Sequence, residues 1–312
     1  MNTKARQGVY AAAITPVAAD GRPDTAKLIA YCQRLIDDGL DGIAPTGTTG
    51  EGNSLPFDWR LELPSAFATA GLAADRVIFG TGSCAADDAV ALTKAALGAG
   101  YVNALVLPPF YLKNVSDDGL FAYYARLIEG VDSDALRIYL YHFPQMSQTP
   151  ISIPLIQRLK AEFGPIIAGL KDSSGDYAGS LAFAGAVEDF DVFPSNEGVL
   201  IDAMAKGCAG VISATTNSSA RLAQRTLQAT GTEQTRLQGL LNDVRQTIAK
   251  YPLSAAIKQI EAWKSGDKSW RTVFPPLVPL SPDQQRDLRR DLEALPTECG
   301  VLMSSPDEQS LE

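Results

Sequence analysis

Eight short apolar runs recur along the first two thirds of the chain, at 9–15, 42–44, 76–80, 104–107, 137–141, 166–171, 192–193 and 210–212. Their spacing of roughly 20 to 35 residues is that of one strand plus a returning helix, the connection that parallel strands require. The segments between them carry helical periodicity. In 24–38, Leu28, Tyr31, Cys32, Leu35 and Ile36 share a face, Asp24 or Thr25 caps the start, and Gly39 stops the end. Segments 87–97 (closed by Gly98 and Gly100), 117–128 (closed by Gly130) and 153–163 (with Pro154 in its first turn) repeat the pattern. Eight βα units in succession predict an α/β chain folded as a (β/α)8 TIM barrel rather than an open doubly wound sheet. No GxGxxG turn follows the first run, where the sequence reads TPVAADGRPD, so no dinucleotide site is expected there. Past about residue 230 the strand signal stops, and 233–250, 253–264 and 283–295 read as helices. The expectation is a barrel over 1–230 and a C-terminal helical region over 231–312, with a polar, frayed tail beyond Gly300.

Charge and histidine content narrow the chemistry. Lys and Arg number 27 against 36 Asp and Glu, for a formal net charge of -9, and the one histidine is His142. A three-histidine zinc site and the two-histidine zincin motif are excluded. An acidic chain lacks the basic face that nucleic acid or an anionic membrane would select. No stretch approaches the 18 or so apolar residues of a membrane span, and the short apolar segment near the N-terminus reads as a first strand rather than a secretory signal. Cys32, Cys84, Cys208 and Cys299 form no CxxC or other short ligand spacing, which fits thiols in a reducing cytoplasm. No metal is expected.

In a barrel of this kind chemistry lies where the strands end. The sixth run ends in Lys171, followed by Asp172. A desolvated amine loses its charge more easily and can attack a carbonyl to form a Schiff base. Alternation puts Lys171 on the side of Gly169 and Ile167, and the small Gly169 would leave room beside the amine. Alternatively, Lys171 leaves the strand into solvent or pairs with Asp172. The fifth run ends in Tyr141, next in strand order, whose hydroxyl would move protons for such an amine. Its bland reading is a core aromatic. The second run leads into Gly47-Thr48-Thr49-Gly50-Glu51, where glycines admit a ligand to the backbone and two hydroxyls suit a carboxylate. Its bland reading is a turn. The fourth run ends in Pro108-Pro109-Phe110-Tyr111, a stiff loop in which one bond could be cis, with Tyr111 reaching a site or a subunit contact.

Together GTTGE (47–51), PPFY (108–111), YHFP (141–144), GLKDSSGD (169–176) and GVISA (210–214) resemble the dihydrodipicolinate synthase/N-acetylneuraminate lyase family, in order and spacing, over residues 8 to 295. The resemblance implies a class I lyase or aldolase acting on pyruvate or a related 2-oxo acid, with no diffusible cofactor and no metal. It assigns the Schiff-base lysine to Lys171, the proton-relay tyrosine to Tyr141 and the linking hydroxyl to Thr48. It puts substrate-carboxylate contacts at Thr49 and Gly47. Tyr111 takes the place of a tyrosine that completes the relay from a neighbouring subunit, in homo-oligomers that are dimers or tetramers. Ser195 and Ile212 fall where the family faces backbone groups to the substrate.

Three departures bear on specificity. Met146 stands where the synthases carry an arginine for a substrate carboxylate, and methionine makes no charge-assisted hydrogen bond. After the seventh run only part of the sialate lyases' carboxylate pair is present, as Asn196 and Glu197, which would suit a smaller hydroxylated 2-oxo acid. His142 replaces the more usual asparagine, to orient Tyr141 or to pack behind the strand. The resemblance leaves open dihydrodipicolinate synthesis, aldol cleavage of a 2-oxo-3-deoxy sugar acid, or its dehydration. Two readings from other classes are a non-catalytic 2-oxo acid binding barrel and a histidine-dependent hydrolase, although no GxSxG elbow accompanies His142.

Overall fold

The computed structural model of the protein describes residues 7–302, so the expectations for the first six residues and for the tail past 302 lie outside the described residues. All eight predicted strands form: β1 (Gly8–Ala11), β2 (Gly42–Ile43), β3 (Phe79–Gly80), β4 (Asn103–Val106), β5 (Arg137–His142), β6 (Ile167–Asp172), β7 (Asp191–Pro194) and β8 (Gly210–Ser213). Every pairing is parallel, in two ladders, β2-β1-β8 and β3-β4-β5-β6-β7. Hydrogen bonds span the two seams. Across the first, Ile78 N–H donates to Ile43 O and Gly80 N–H to Pro45 O, both at 3.0 Å, and across the second Ala209 N–H donates to Val192 O at 2.9 Å. The strands therefore follow one another around a (β/α)8 barrel in chain order, as expected.

The helices are α1 (Thr25–Asp37), α2 (Phe57–Thr69), α3 (Ala86–Gly98), α4 (Asp117–Val131), a short α5 (Pro144–Ser147), α6 (Ile153–Phe163), α7 (Tyr177–Ala184), α8 (Leu200–Ala205) and α9 (Thr216–Gln228). Then come α10 (Gly231–Ile248), α11 (Leu253–Ser265) and α12 (Pro282–Glu293). The sequence signals act as read in α1: the Asp24 carboxylate accepts from Lys27 N–H at 3.0 Å, Leu28, Tyr31, Cys32 and Leu35 are buried, and Gly39 takes φ 103°. In α4 they do not. Gly130 lies inside the helix, and Asp132, at φ 54°, supplies the left-handed end. The cis bond is at Pro275-Pro276, not at Pro108-Pro109.

The inward strand residues Tyr10, Ile78, Leu105, Tyr141, Phe193 and Ile212 fill the barrel interior. Outward residues meet the helices, and there the C-terminal region joins in. Leu241, Ile257, Ile260 and Leu288 belong to the same buried cluster as Val9, Leu28 and Ile43. At about 1.5–3 kcal/mol for each fully buried large aliphatic, that contact binds the C-terminal helices firmly to the barrel.

Candidate active site

Strand register sets one interior layer: Tyr141 on β5 lies opposite Lys171 on β6, which lies opposite Phe193 on β7. Lys171 is 2% exposed. Its Nζ sits 4.5 Å from the centre of the Tyr141 ring, and among the described residues no carboxylate pairs with it. Asp172 does not, because alternation turns it out of the barrel. Its carboxylate accepts from Ser174 N–H at 2.8 Å and from Ser180 Oγ at 2.6 Å. Neither bland reading of Lys171, solvent or Asp172, describes its place. The expected room beside the amine is absent. A Cβ on Gly169 would meet the Tyr139 ring at 2.8 Å and Asp191 O at 2.2 Å, so Gly169 admits an aromatic ring one layer below rather than leaving a void.

The Tyr141 hydroxyl donates to Thr48 Oγ1 at 3.3 Å, and its ring stacks on Phe143 at 5.9 Å between centres. A cleft of about 270 Å³ opens over this pair, lined by Thr46, Gly47, Thr48, Asn53, Leu107 and Tyr141. Arg60 on α2 donates to the carbonyls of Gly80 and Gly82, which line the same cleft, at 3.2 Å each. Thr49 is buried beside the cleft loop, and its carbonyl accepts from Ser254 Oγ on α11 at 3.2 Å. Glu51 closes the loop in an ion pair with Lys258 of α11, both side chains fully buried. Burial pushes the Lys258 ammonium below its ordinary value, against the pull of Glu51. The sequence reading did not connect these two. The available signal was a lysine inside SAAIKQIEA, a helix whose residues 255–262 are all buried.

Of the other predicted residues, all but Ile212 scatter. Ile212 is buried in the barrel interior with Tyr141. Ser195 and Asn196 line a second cleft, of about 260 Å³, with Asp172 and Tyr177. Glu197 faces neither cleft. It is fully buried, its carboxylate taken by Ser213 Oγ at 2.5 Å and by the Thr215 hydroxyl. That arrangement leaves it no approach to a sugar hydroxyl. His142 points away from Tyr141, behind β5. Its Nδ1 accepts from Ile151 N–H at 3.0 Å and its ring meets Phe183 edge-on at 5.1 Å. Burial lowers its pKa from the ordinary value, with Asp172 and Asp176 opposing. Tyr111, on the loop after β4, is 80% exposed, and Met146, in the short helix α5 after β5, is 58% exposed. Within the protomer the structure thus gathers Lys171, Tyr141, Thr48, Gly47 and Ile212 and leaves Tyr111 outward. No three His, Cys, Asp or Glu side chains among the described residues group as metal ligands.

The profile of the dihydrodipicolinate synthetase family matches residues 5–295. The chain belongs to that family. Its members are lyases, and this chain is one. It is 34% identical to an uncharacterized DapA-like lyase of Chloroflexus aurantiacus, over 93% of this chain and 97% of that protein. A crystal structure of dihydrodipicolinate synthase from Agrobacterium tumefaciens superposes with a TM-score of 0.85 at 32% identity, covering 93% of this chain and 99% of that one. A variant of the 2-keto-3-deoxygluconate aldolase of Sulfolobus solfataricus, at 23% identity, shares the fold with a TM-score of 0.82 over 95% and 99% of the two chains. Among the described residues of this family member, no helix is long and apolar enough to cross a membrane.

Proposed function

We propose that the chain is a Schiff-base lyase acting on pyruvate or a related 2-oxo acid through Lys171. The observation that carries this reading is the lysine itself: buried, without a carboxylate partner among the described residues, and set over the ring of a tyrosine whose hydroxyl meets Thr48. A buried ammonium without a counter-charge is costly, and a desolvated amine is a nucleophile. Lys171 Nζ attacks the 2-oxo carbon to give a carbinolamine. Tyr141, relayed through Thr48, delivers the proton with which the hydroxyl leaves as water, giving the protonated imine. The imine nitrogen then takes the electron pair left when C3 loses a proton to the Tyr141 oxygen, which returns that proton to the aldehyde oxygen as the new carbon–carbon bond forms. The resulting enamine attacks an aldehyde carbon, and water hydrolyses the new imine to release product and free lysine. Run backwards, the same steps cleave a carbon–carbon bond.

Thr49 and Gly47 are assigned the substrate carboxylate, and the backbones of Ser195 and Ile212 its flank. Tyr111 would complete the relay of a neighbouring subunit in a homodimer or homotetramer. The outward exposure of Tyr111 and Leu112 supports this. Met146 favours a 2-oxo-3-deoxy sugar acid, cleaved or dehydrated, over the dihydrodipicolinate synthase reaction. We assign the enzyme to the cytoplasm, in keeping with its four free cysteines. The test is to treat the protein with pyruvate and borohydride and map the reduced adduct by peptide mass. An adduct on Lys171 is expected. No adduct with pyruvate or any of a panel of 2-oxo acids overturns the reading.

A further inference from the structure

The cleft loop is held from two sides, one of them outside the barrel. At its start Thr46 takes φ 58° and donates its hydroxyl to Gly80 O at 2.9 Å. At its end Glu51 takes φ 59°. A non-glycine residue in left-handed backbone persists only where its surroundings hold it. For Glu51 those surroundings are the C-terminal helices and the segment after them. One carboxylate oxygen pairs with Lys258, and the other accepts from Phe274 N–H at 2.5 Å. Lys258 Nζ also donates to Thr272 O at 2.8 Å, tying the segment that carries Phe274 to α11.

Glu51 is tied in turn to the threonines. Its N–H donates to Thr48 O at 3.0 Å, and the next N–H, of Gly52, to Gly47 O at 2.9 Å. The turn has no slack. A Cβ on Gly52 would meet Thr46 O at 1.9 Å, and one on Gly50 would meet Ala13 O at 2.6 Å. Displacement of Glu51 therefore passes to Thr48 rather than being absorbed between them. A fully buried ion pair is a poor choice for stability alone, since an apolar pair of the same volume holds a core as well or better. What the pair adds is direction: one oxygen in the ion pair with α11 and the other accepting from Phe274 N–H orient the residue that ends the turn.

We propose that Lys258 is a positioning residue for the Thr48 hydroxyl. It acts through Glu51, so the C-terminal helices complete the cleft loop as well as covering the barrel. This rests on Lys171 forming an imine, and the readout is the rate at which pyruvate and cyanoborohydride label Lys171. Lys258→Met, checked for folding by circular dichroism, is expected to slow labelling about ten- to a hundredfold, the effect of a misplaced catalytic group. If it acts through Thr48, its effect vanishes where the Thr48 hydroxyl is already gone. Lys258→Met/Thr48→Val should label within about threefold of Thr48→Val alone, whereas independent effects would multiply. Should Lys258→Met not fold, Glu51→Gln/Lys258→Met, which removes both charges and keeps the volumes, takes its place in the same cycle. Labelling at the wild-type rate in the folded variant, or full multiplication with Thr48→Val, overturns this proposal alone. A wild-type protein that forms no adduct overturns the reading of Lys171 and this proposal with it.

Discussion

The Tyr141 hydroxyl donates to Thr48 Oγ1 at 3.3 Å, joining residues 93 positions apart in sequence, while the Tyr141 ring lies under the Lys171 ammonium. One side chain thus links the amine to the cleft loop. Tyr141→Phe keeps the ring, its stacking on Phe143 and its contact with Lys171, and removes only the proton carrier. Pyruvate-dependent labelling of Lys171 is expected to slow by about 10²–10⁴, the usual worth of a positioned acid–base group. Pyruvate affinity, by calorimetry, should change little. Labelling within a few-fold of wild type would remove Tyr141 from the relay.

Lys171→Met should make the protein more stable while ending imine formation. The native ammonium is buried with an aromatic face in place of a counter-ion, and methionine fills similar volume without a charge to desolvate. A gain of about 1 kcal/mol, or ~1.5 °C in Tm, is expected. A Tm that falls by as much would show that the ammonium is structurally compensated in a way the ring contact does not account for.

The barrel was legible because its signals are local. Apolar runs repeat eight times, four of the segments between them carry cap, stop or first-turn signals, and an error at one of these, such as Gly130, leaves the order of strands intact. Lys171 beside Tyr141 was legible too, because parallel strands adjacent in sequence pair in register. Contacts between distant segments were not. Nothing near Glu51 names Lys258, and nothing near Gly169 says that Tyr139 fills its space. Glu197 and Asn196 are sequence neighbours on one turn. Yet the turn sends one into the Ser213 and Thr215 hydroxyls and the other to a cleft, a difference set by backbone angles that residue type does not encode.

His142 predicts a pH dependence of stability. Folded, it is held neutral by burial, accepting Ile151 N–H at Nδ1, and its pKa lies below the ordinary value, with Asp172 and Asp176 pulling the other way. Unfolded, it titrates at its ordinary value of about 6.5. Between the two values unfolding takes up a proton. The contribution to stability is therefore complete above about pH 6.5 and declines as pH falls through 6.5 toward the folded value, by at most about 1.4 kcal/mol per pH unit. His142→Asn should flatten the Tm profile between about pH 7.5 and 5.5, while leaving Lys171 labelling at pH 7.5 near wild type. An unchanged profile would mean that other groups govern that range.

Met146→Arg tests how the rim reads the second substrate. Met146 is 58% exposed on the short helix α5 after β5, so a longer, charged side chain enters without repacking the core. A guanidinium there would offer a carboxylate-bearing acceptor aldehyde a charge-assisted hydrogen bond worth about 1.5–3 kcal/mol, roughly ten- to a hundredfold in kcat/KM. Uncharged aldehydes should gain nothing. The comparison is product formation from pyruvate with matched acceptors that differ only in that carboxylate, in wild type and variant. An equal response to both acceptors would place the specificity contact elsewhere, with Arg60, whose guanidinium already borders the cleft at Gly80 and Gly82, the next residue to substitute.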